Sequence, residues 1–232
     1  MPESATSVPL TPAATVVVVR DGVSGLEVLM LKRSGSGSFS NHWVFPGGKV
    51  DPADHDHGSE DPLASFRRAA VREAAEEANL LLNAHELVTF AYWEPPPTQP
   101  RRFATWFFLA VDQHAEIVVD GNEIDDHVWL APAAVLARRD ADQAELAPPT
   151  WMSLYTLSHY ATTAEVLRAE HQRETPNFST HTGKLDGVRL TMWAGDAGYE
   201  TGDASLAGER NRLVMYPTGW RYEGSFPGRA QA

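Results

Sequence analysis

Apolar residues recur at helical spacing between Pro62 and Leu81. Leu63, Phe66, Ala70, Ala74, Ala78 and Leu81 fall on one side of such a helix. Asp61 and Pro62 read as its N-cap and first helical residue. Upstream, Thr15–Arg20 carries four valines in a row and reads as a buried strand. Asp21-Gly22 turns the chain, Leu26–Lys32 reads as the partner strand, and the Gly/Ser-rich stretch Ser34–Ser40 reads as a mobile loop. Downstream, Leu87–Trp93 is a strand that Pro95-Pro96-Pro97 ends, and Phe103–Val111 is a second strand rich in aromatic and β-branched residues. Asp120-Gly121-Asn122 marks a turn before a short strand, Val128–Leu130. Pro132–Arg139 reads as a short helix and Pro149 to about Arg173 as a long one. Past residue 174 the helical period fades. Val188–Trp193 and Arg212–Tyr216 read there as strands joined by a Gly-rich loop. No internal repeat is visible.

Strands on both sides of a central helix, with helices at the end, predict an α/β fold with a mixed sheet between helices. Residues 1–12 are Pro-, Ser- and Thr-rich and read as a loose tail. Residues 13–173 read as the domain, and 174–232 as a C-terminal extension packed on it. An apolar fraction of 43% over 232 residues suffices for a real core. The long helix carries apolar residues at 151, 154, 155, 157, 160 and 161. They suit packing within the chain, and a homodimer stays open.

The formal charge of −12 argues against a nucleic-acid partner, because phosphate backbones need basic patches. It leaves room for a phosphorylated small molecule, because a bound cation can supply the local positive charge. With no cysteine there is no disulfide framework and no catalytic thiol. The start, Met1-Pro2-Glu3-Ser4, lacks the basic and apolar regions of a signal peptide. No stretch approaches the roughly 18 apolar residues of a membrane span. A soluble cytoplasmic protein without a membrane partner is the expectation.

The chemistry concentrates in Arg72-Glu73-Ala74-Ala75-Glu76-Glu77. On a helix, Glu73, Glu76 and Glu77 are spaced i, i+3 and i+4 and share a face. Three carboxylates on one face repel one another unless a cation sits among them. Hard oxygen ligands suit Mg²⁺ or Mn²⁺. Upstream, Trp43-Val44-Phe45-Pro46-Gly47-Gly48-Lys49-Val50-Asp51-Pro52-Ala53-Asp54 runs a short apolar stretch into a Pro-Gly-Gly turn, where backbone can come close to another group. Phe39, His42 and Trp43 precede this turn and are placed to border a site, or simply to pack.

A Gly-Gly loop followed by an R-E-x-x-E-E helix resembles the Nudix box, G-x5-E-x7-R-E-U-x-E-E-x-G-U, where U is apolar. Gly48 starts the box, and Arg72, Glu73, Glu76 and Glu77 match it residue for residue. Asp54 stands where the first Glu would be. Asn79 replaces the late Gly, although Asn also tolerates left-handed backbone. Seventeen residues (55–71) separate Asp54 from Arg72 where the box has seven. The extra residues include His55, Asp56, His57, Gly58, Ser59 and Glu60 and read as a solvated loop. The lengthened box resembles that of the mammalian peroxisomal coenzyme A diphosphatases of this superfamily. So do Pro100-Arg101-Arg102-Phe103-x-Thr105-x-Phe107-Phe108-Leu109 and Leu146-Ala147-Pro148-Pro149-Thr150.

The resemblance implies a Nudix-type α/β/α sandwich and metal-assisted hydrolysis of the diphosphate linkage of a nucleoside diphosphate derivative. In that branch the substrate is coenzyme A or acyl-CoA. It implies that Glu73, Glu76 and Glu77, with the Gly48 carbonyl, hold Mg²⁺ or Mn²⁺. Arg72 then orients the glutamates, Asp54 supports them, and Arg101 and Arg102 are candidate phosphate clamps. For the general base, Glu76 or Glu77 competes with Glu123, a loop carboxylate with Asp125 and Asp126 close by. A catalytically silent Nudix domain that senses a nucleotide is the alternative, marked by erosion of the Glu set, which is intact here. An isopentenyl diphosphate isomerase on the same fold would call for a reactive cysteine, and there is none.

Overall fold

Val16, Val17, Val18 and Val19 are fully buried, because their strand has neighbours on both edges and helices on both faces. The structure is a computed structural model that describes residues 8–35, 42–55, 58–112 and 115–225. In chain order its elements are β1 (Leu10–Gly22), β2 (Gly25–Arg33), β3 (Trp43–Val44), β4 (Gly47–Lys49), α1 (Ala64–Ala78), β5 (Val88–Glu94), β6 (Arg102–Val111), β7 (Ile124–Leu130), α2 (Pro132–Asp140), α3 (Pro148–Leu157), α4 (Thr163–Gln172), β8 (Asn177–Ser179), β9 (His181–Leu185), β10 (Val188–Met192), β11 (Asn211–Tyr216) and β12 (Gly219–Gly224).

The first sheet runs β3-β2-β1-β6-β5-β8, with β4 also paired to β1 and β7 to β2. The pairs β1–β6 and β5–β8 are parallel and the others antiparallel, so the sheet is mixed. Period-two alternation splits the valines. Val16 and Val18 pack with Ala69, Ala70, Ala74 and Ala78 of α1, whose small side chains let the helix lie close. Val17 and Val19 pack with Trp151, Leu154 and Leu157 of α3 and Val166 of α4. Each fully buried valine contributes on the order of 2 kcal/mol. The result is the α/β/α sandwich with a mixed sheet.

The second sheet is antiparallel, in the order β12-β11-β10-β9. One face sends Leu213 and Tyr222 into the main core beside Trp193. Leu190, Met192, Val214 and Ala204 form a small core of their own. Arg212 and Asp196, both buried, tie the loop between β10 and β11 to the sheet. Arg212 Nε donates to Asp196 Oδ2 at 2.7 Å and Nη2 to Oδ1 at 2.6 Å. β8 lies past residue 174 yet pairs with β5 of the first sheet.

Several sequence expectations change. Residues 10–12 belong to β1 rather than to a tail, and Pro12 O accepts a hydrogen bond from Val50 N. The central helix starts at Ala64, because the Asp61 carboxylate accepts from Leu63 N and makes a turn ahead of it. It ends at Ala78, because Asn79 adopts φ 55°. Leu80 is therefore buried and Leu81 is exposed. The long helix is two helices. Thr162 Oγ1 accepts from Glu165 N and caps α4, while Asp21 accepts from both Thr163 N and Thr163 Oγ1. Capping here outcompetes continuation. The strand expected at Val128–Leu130 begins earlier, at Ile124. Phe39, His57 and residues 36–40 of the Gly/Ser-rich stretch lie outside the described residues. Among the described residues no helix is long and apolar enough to cross a membrane.

Candidate functional site

Two backbone features bring the Pro-Gly-Gly turn onto α1. Gly47 N donates to Glu77 Oε2 at 3.0 Å. The Gly48 backbone lies against the Glu73 carboxylate, so a side chain at 48 would push that carboxylate aside, while a Cβ at Gly47 would run into the backbone of Ala14 and Thr15. β4 holds both glycines by pairing Gly47 with Thr15 and Gly48 with Ala14. The sheet edge thus fixes the loop, and the alanine face of α1 fixes the glutamates.

Arg72 organises the acids. Its Nη1 donates to Glu73 Oε1 at 2.9 Å and to Glu76 Oε2 at 3.0 Å. Its Nη2 donates to Lys49 O at 3.0 Å and to Asp54 Oδ2 at 2.9 Å, while Nε reaches Asp54 Oδ1 at 3.2 Å. Asp54 is buried, and Asp51 N also donates to its Oδ2 at 2.8 Å. Burial pushes the Asp54 carboxyl up, but hydrogen bonds from Arg72 and Asp51 outweigh it and hold the group below its ordinary value. The residue at the first-Glu position therefore grips the arginine that orients the other acids.

The three glutamates differ in exposure: the side chain of Glu77 is 7% exposed, that of Glu73 17% and that of Glu76 60%. Burial, with the charges of Glu73 and Glu123 adding to it, pushes Glu77 up to about 8 against the Gly47 hydrogen bond and Arg33. Burial likewise raises Glu73, although Arg72 opposes it. Glu123 is brought to the same place from just before β7. Arg33 bridges it to the helix, with Nη2 2.7 Å from Glu123 Oε2 and Nη1 3.6 Å from Glu77 Oε1.

A cleft of about 1780 Å³ opens here, lined by Gly48, Glu73, Glu123, Arg33 and Arg101 among others. His42 lines it too, with Nδ1 3.6 Å from Glu145 Oε2, whereas Trp43 packs against the core. Arg102 does not reach the cleft. It is buried, and its guanidinium donates to Pro95 O, Val8 O and Glu94 Oε1. The expected clamp at this position is therefore an internal anchor: Arg102 is buried at the start of β6, whereas Arg101, just before the strand, is exposed.

The donor set fits a divalent cation by chemistry. Asp54, Glu73, Glu76, Glu77 and Glu123 outnumber Arg72 and Arg33 here, and the Gly48 backbone lies against the Glu73 carboxylate. Here Arg72 and Arg33 stand among the acids, and among the described residues no three His, Asp or Glu side chains converge as a ready-made ligand cage. Sequence reasoning missed Arg33. Its position at the end of a strand carried no local signal, because the β-bulge at Lys32/Arg33 and the pairing with β7 bring it to Glu123.

The NUDIX domain family matches residues 9–149. A Caenorhabditis elegans protein described as "Putative nudix hydrolase 7" is 30% identical over 168 aligned residues, covering 56% of this chain. The match spans 55%, about half, of that relative's length. The crystal structure of a NUDIX hydrolase from Alicyclobacillus acidocaldarius superposes with a TM-score of 0.62 at 27% identity. That superposition covers 69% of this chain and 96% of the bacterial one.

Proposed function

Because the chain belongs to the NUDIX domain family, we propose that it is a divalent-metal-dependent hydrolase that cuts the diphosphate linkage of a nucleoside diphosphate derivative, coenzyme A or an acyl-CoA being the substrates tried first. The observation that carries this reading is the contact of Gly48 with Glu73, both lining the cleft, with Arg72 bonded to Glu73. Nudix hydrolases generally use divalent metal ions. Glu73, Glu76, Glu77 and the Gly48 carbonyl would hold Mg²⁺ or Mn²⁺, which when bound offsets the charge of the diphosphate and activates water.

The chain's own residues do the rest. Arg72, gripped by Asp54, keeps Glu73 and Glu76 in place. Arg101, exposed at the cleft, binds a phosphate oxygen through its planar fork. Glu123, with Oε2 anchored by Arg33, takes the proton of the attacking water. The test is a panel of acyl-CoAs, NADH, ADP-ribose and dinucleoside polyphosphates with Mg²⁺ or Mn²⁺, the products weighed by mass spectrometry. Hydrolysis of one anhydride bond, with one water added across the two products (two phosphate monoesters where the linkage is a diphosphate), is the expected result, and an intact panel would refute the reading.

A further inference from the structure

The cleft has a second wall, and it lies past the residues that the NUDIX family matches. Residues of β9 and β10 line it together with Gly48 and Glu73. Lys184 and Arg189 are direct cross-strand partners there, and both are exposed. Like charges placed opposite each other in an antiparallel pair destabilise it. Neither side chain has an ion-pair or hydrogen-bond partner among the described residues, although the chain carries a formal excess of 12 negative charges.

The next pair on the same face is Thr182 with Thr191. Thr191 is 5% exposed, and its Oγ1 has no hydrogen-bond partner among the described residues. A buried hydroxyl left unsatisfied costs about 1–3 kcal/mol. All four residues line the cleft. Met215 and Trp220 extend it as an apolar floor, with Arg139 stacked 4.3 Å over Trp220. Two cations and a hydroxyl without partners among the described residues, on one face of a strand pair that lines one open space, make an arrangement that an anion would complete.

The cleft is thus acidic at α1 and basic at the C-terminal sheet. At about 1780 Å³ it exceeds the roughly 300–1,000 Å³ of an ordinary small-molecule pocket. A cleft of this size has room for a ligand group beyond the diphosphate. We infer that Lys184, Arg189 and Thr191 form a second anion site that binds a phosphate monoester carried by the substrate beyond its diphosphate. This deepens the proposed function and rests on it. The extension then selects substrates that are nucleoside diphosphate derivatives bearing an additional phosphate.

The experiment compares ligands that differ by one phosphate monoester: coenzyme A with its dephospho form, and NADPH with NADH. The full chain and two variants, Lys184→Ala/Arg189→Ala and Thr191→Val, are titrated for Kd and assayed for kcat and KM on whichever ligands are cut. The parent is expected to favour the phosphate-bearing member of at least one pair by 10-fold or more. The double variant should erase that preference by weakening only that member, leaving kcat unchanged. Its melting temperature should not fall, because a like-charge contact is removed. Thr191→Val should lower the preference by a smaller factor. Inorganic phosphate, titrated alone, separates a site for free phosphate from one for a substrate group: phosphate that binds but leaves the paired ligands equal overturns the proposal. It is also overturned if the parent does not discriminate or the double variant keeps the preference. Cleavage without discrimination sinks this inference alone, whereas discrimination in Kd without any cleavage sinks the hydrolase reading instead.

Discussion

Arg212 and Arg72 are both surrounded by carboxylate oxygen, in opposite circumstances. Arg212 meets Asp196 in a fork, and the two side chains are 1% and 0% exposed. Ala204 O takes a further guanidinium hydrogen at 2.8 Å, so charge and donors are matched in a dry place. Arg72 sits at 24% exposure beside a cleft, among Asp54, Glu73 and Glu76, with Asp51 at 3.9 Å. Acid is in surplus there. A matched buried pair can only hold the chain together, whereas a surplus of hard oxygen at an opening invites a cation from outside.

The largest effect that separates the two regions is on stability. Arg212→Ala leaves Asp196 buried without its partner and should cost about 3–5 kcal/mol in chemical denaturation. Replacing both residues with apolar side chains of similar volume should cost less than either single change. A loss under 1 kcal/mol from Arg212→Ala would end the clamp reading.

The contrasting change at the surplus is Glu76→Gln. Its side chain is 60% exposed, so stability should move by about 0.5 kcal/mol or less. Turnover at saturating metal should instead fall about 10²–10³-fold, the size of one electrostatic stabiliser. Glu123→Gln should lower kcat about 10²-fold with the fold intact. Parent-like turnover in Glu123→Gln would move the base onto α1.

The smallest effect is read by acid. Burial raises the Asp196 carboxyl, but hydrogen bonds from Arg212, Asn211 N and Gly198 N overcome that and bring it down to about 2 from 3.8. A carboxyl depressed on folding contributes stability that is complete above its unfolded value and is lost as pH falls through the folded one. The parent should therefore lose about 2 kcal/mol between pH 4 and pH 2 that Asp196→Asn does not lose. Equal acid sensitivity in the two proteins would show that Asp196 is not held down by Arg212.

The same contrast explains what the sequence could tell. The valine run, the spacing of Glu73, Glu76 and Glu77, and the tolerance of Asn79 for left-handed backbone are local, and they were legible. Arg102 was misplaced because its environment is built from Val8, Glu94 and Pro95, which no spacing rule connects. The break between α3 and α4 depends on Asp21, 142 residues from Thr163. The C-terminal sheet was half legible. Val188–Trp193 and Arg212–Tyr216 stood out by hydrophobicity, but their hairpin partners β9 and β12 are polar. Asp186-Gly187, with φ 49° and 82°, was the available signal for the β9–β10 turn and hence for Lys184 facing Arg189. The Arg212–Asp196 clamp could not be read at all, because the pair spans a 16-residue separation without periodic structure.

The central claim is that the acid surplus around Arg72 binds a divalent cation on which hydrolysis depends. The direct measurement is turnover of a cleaved nucleoside diphosphate derivative after exhaustive chelation, followed by Mg²⁺ or Mn²⁺ add-back. Turnover should vanish with chelation and return with the ion in the parent, and should not return in Glu73→Gln. Full turnover in the thoroughly chelated protein would contradict the account.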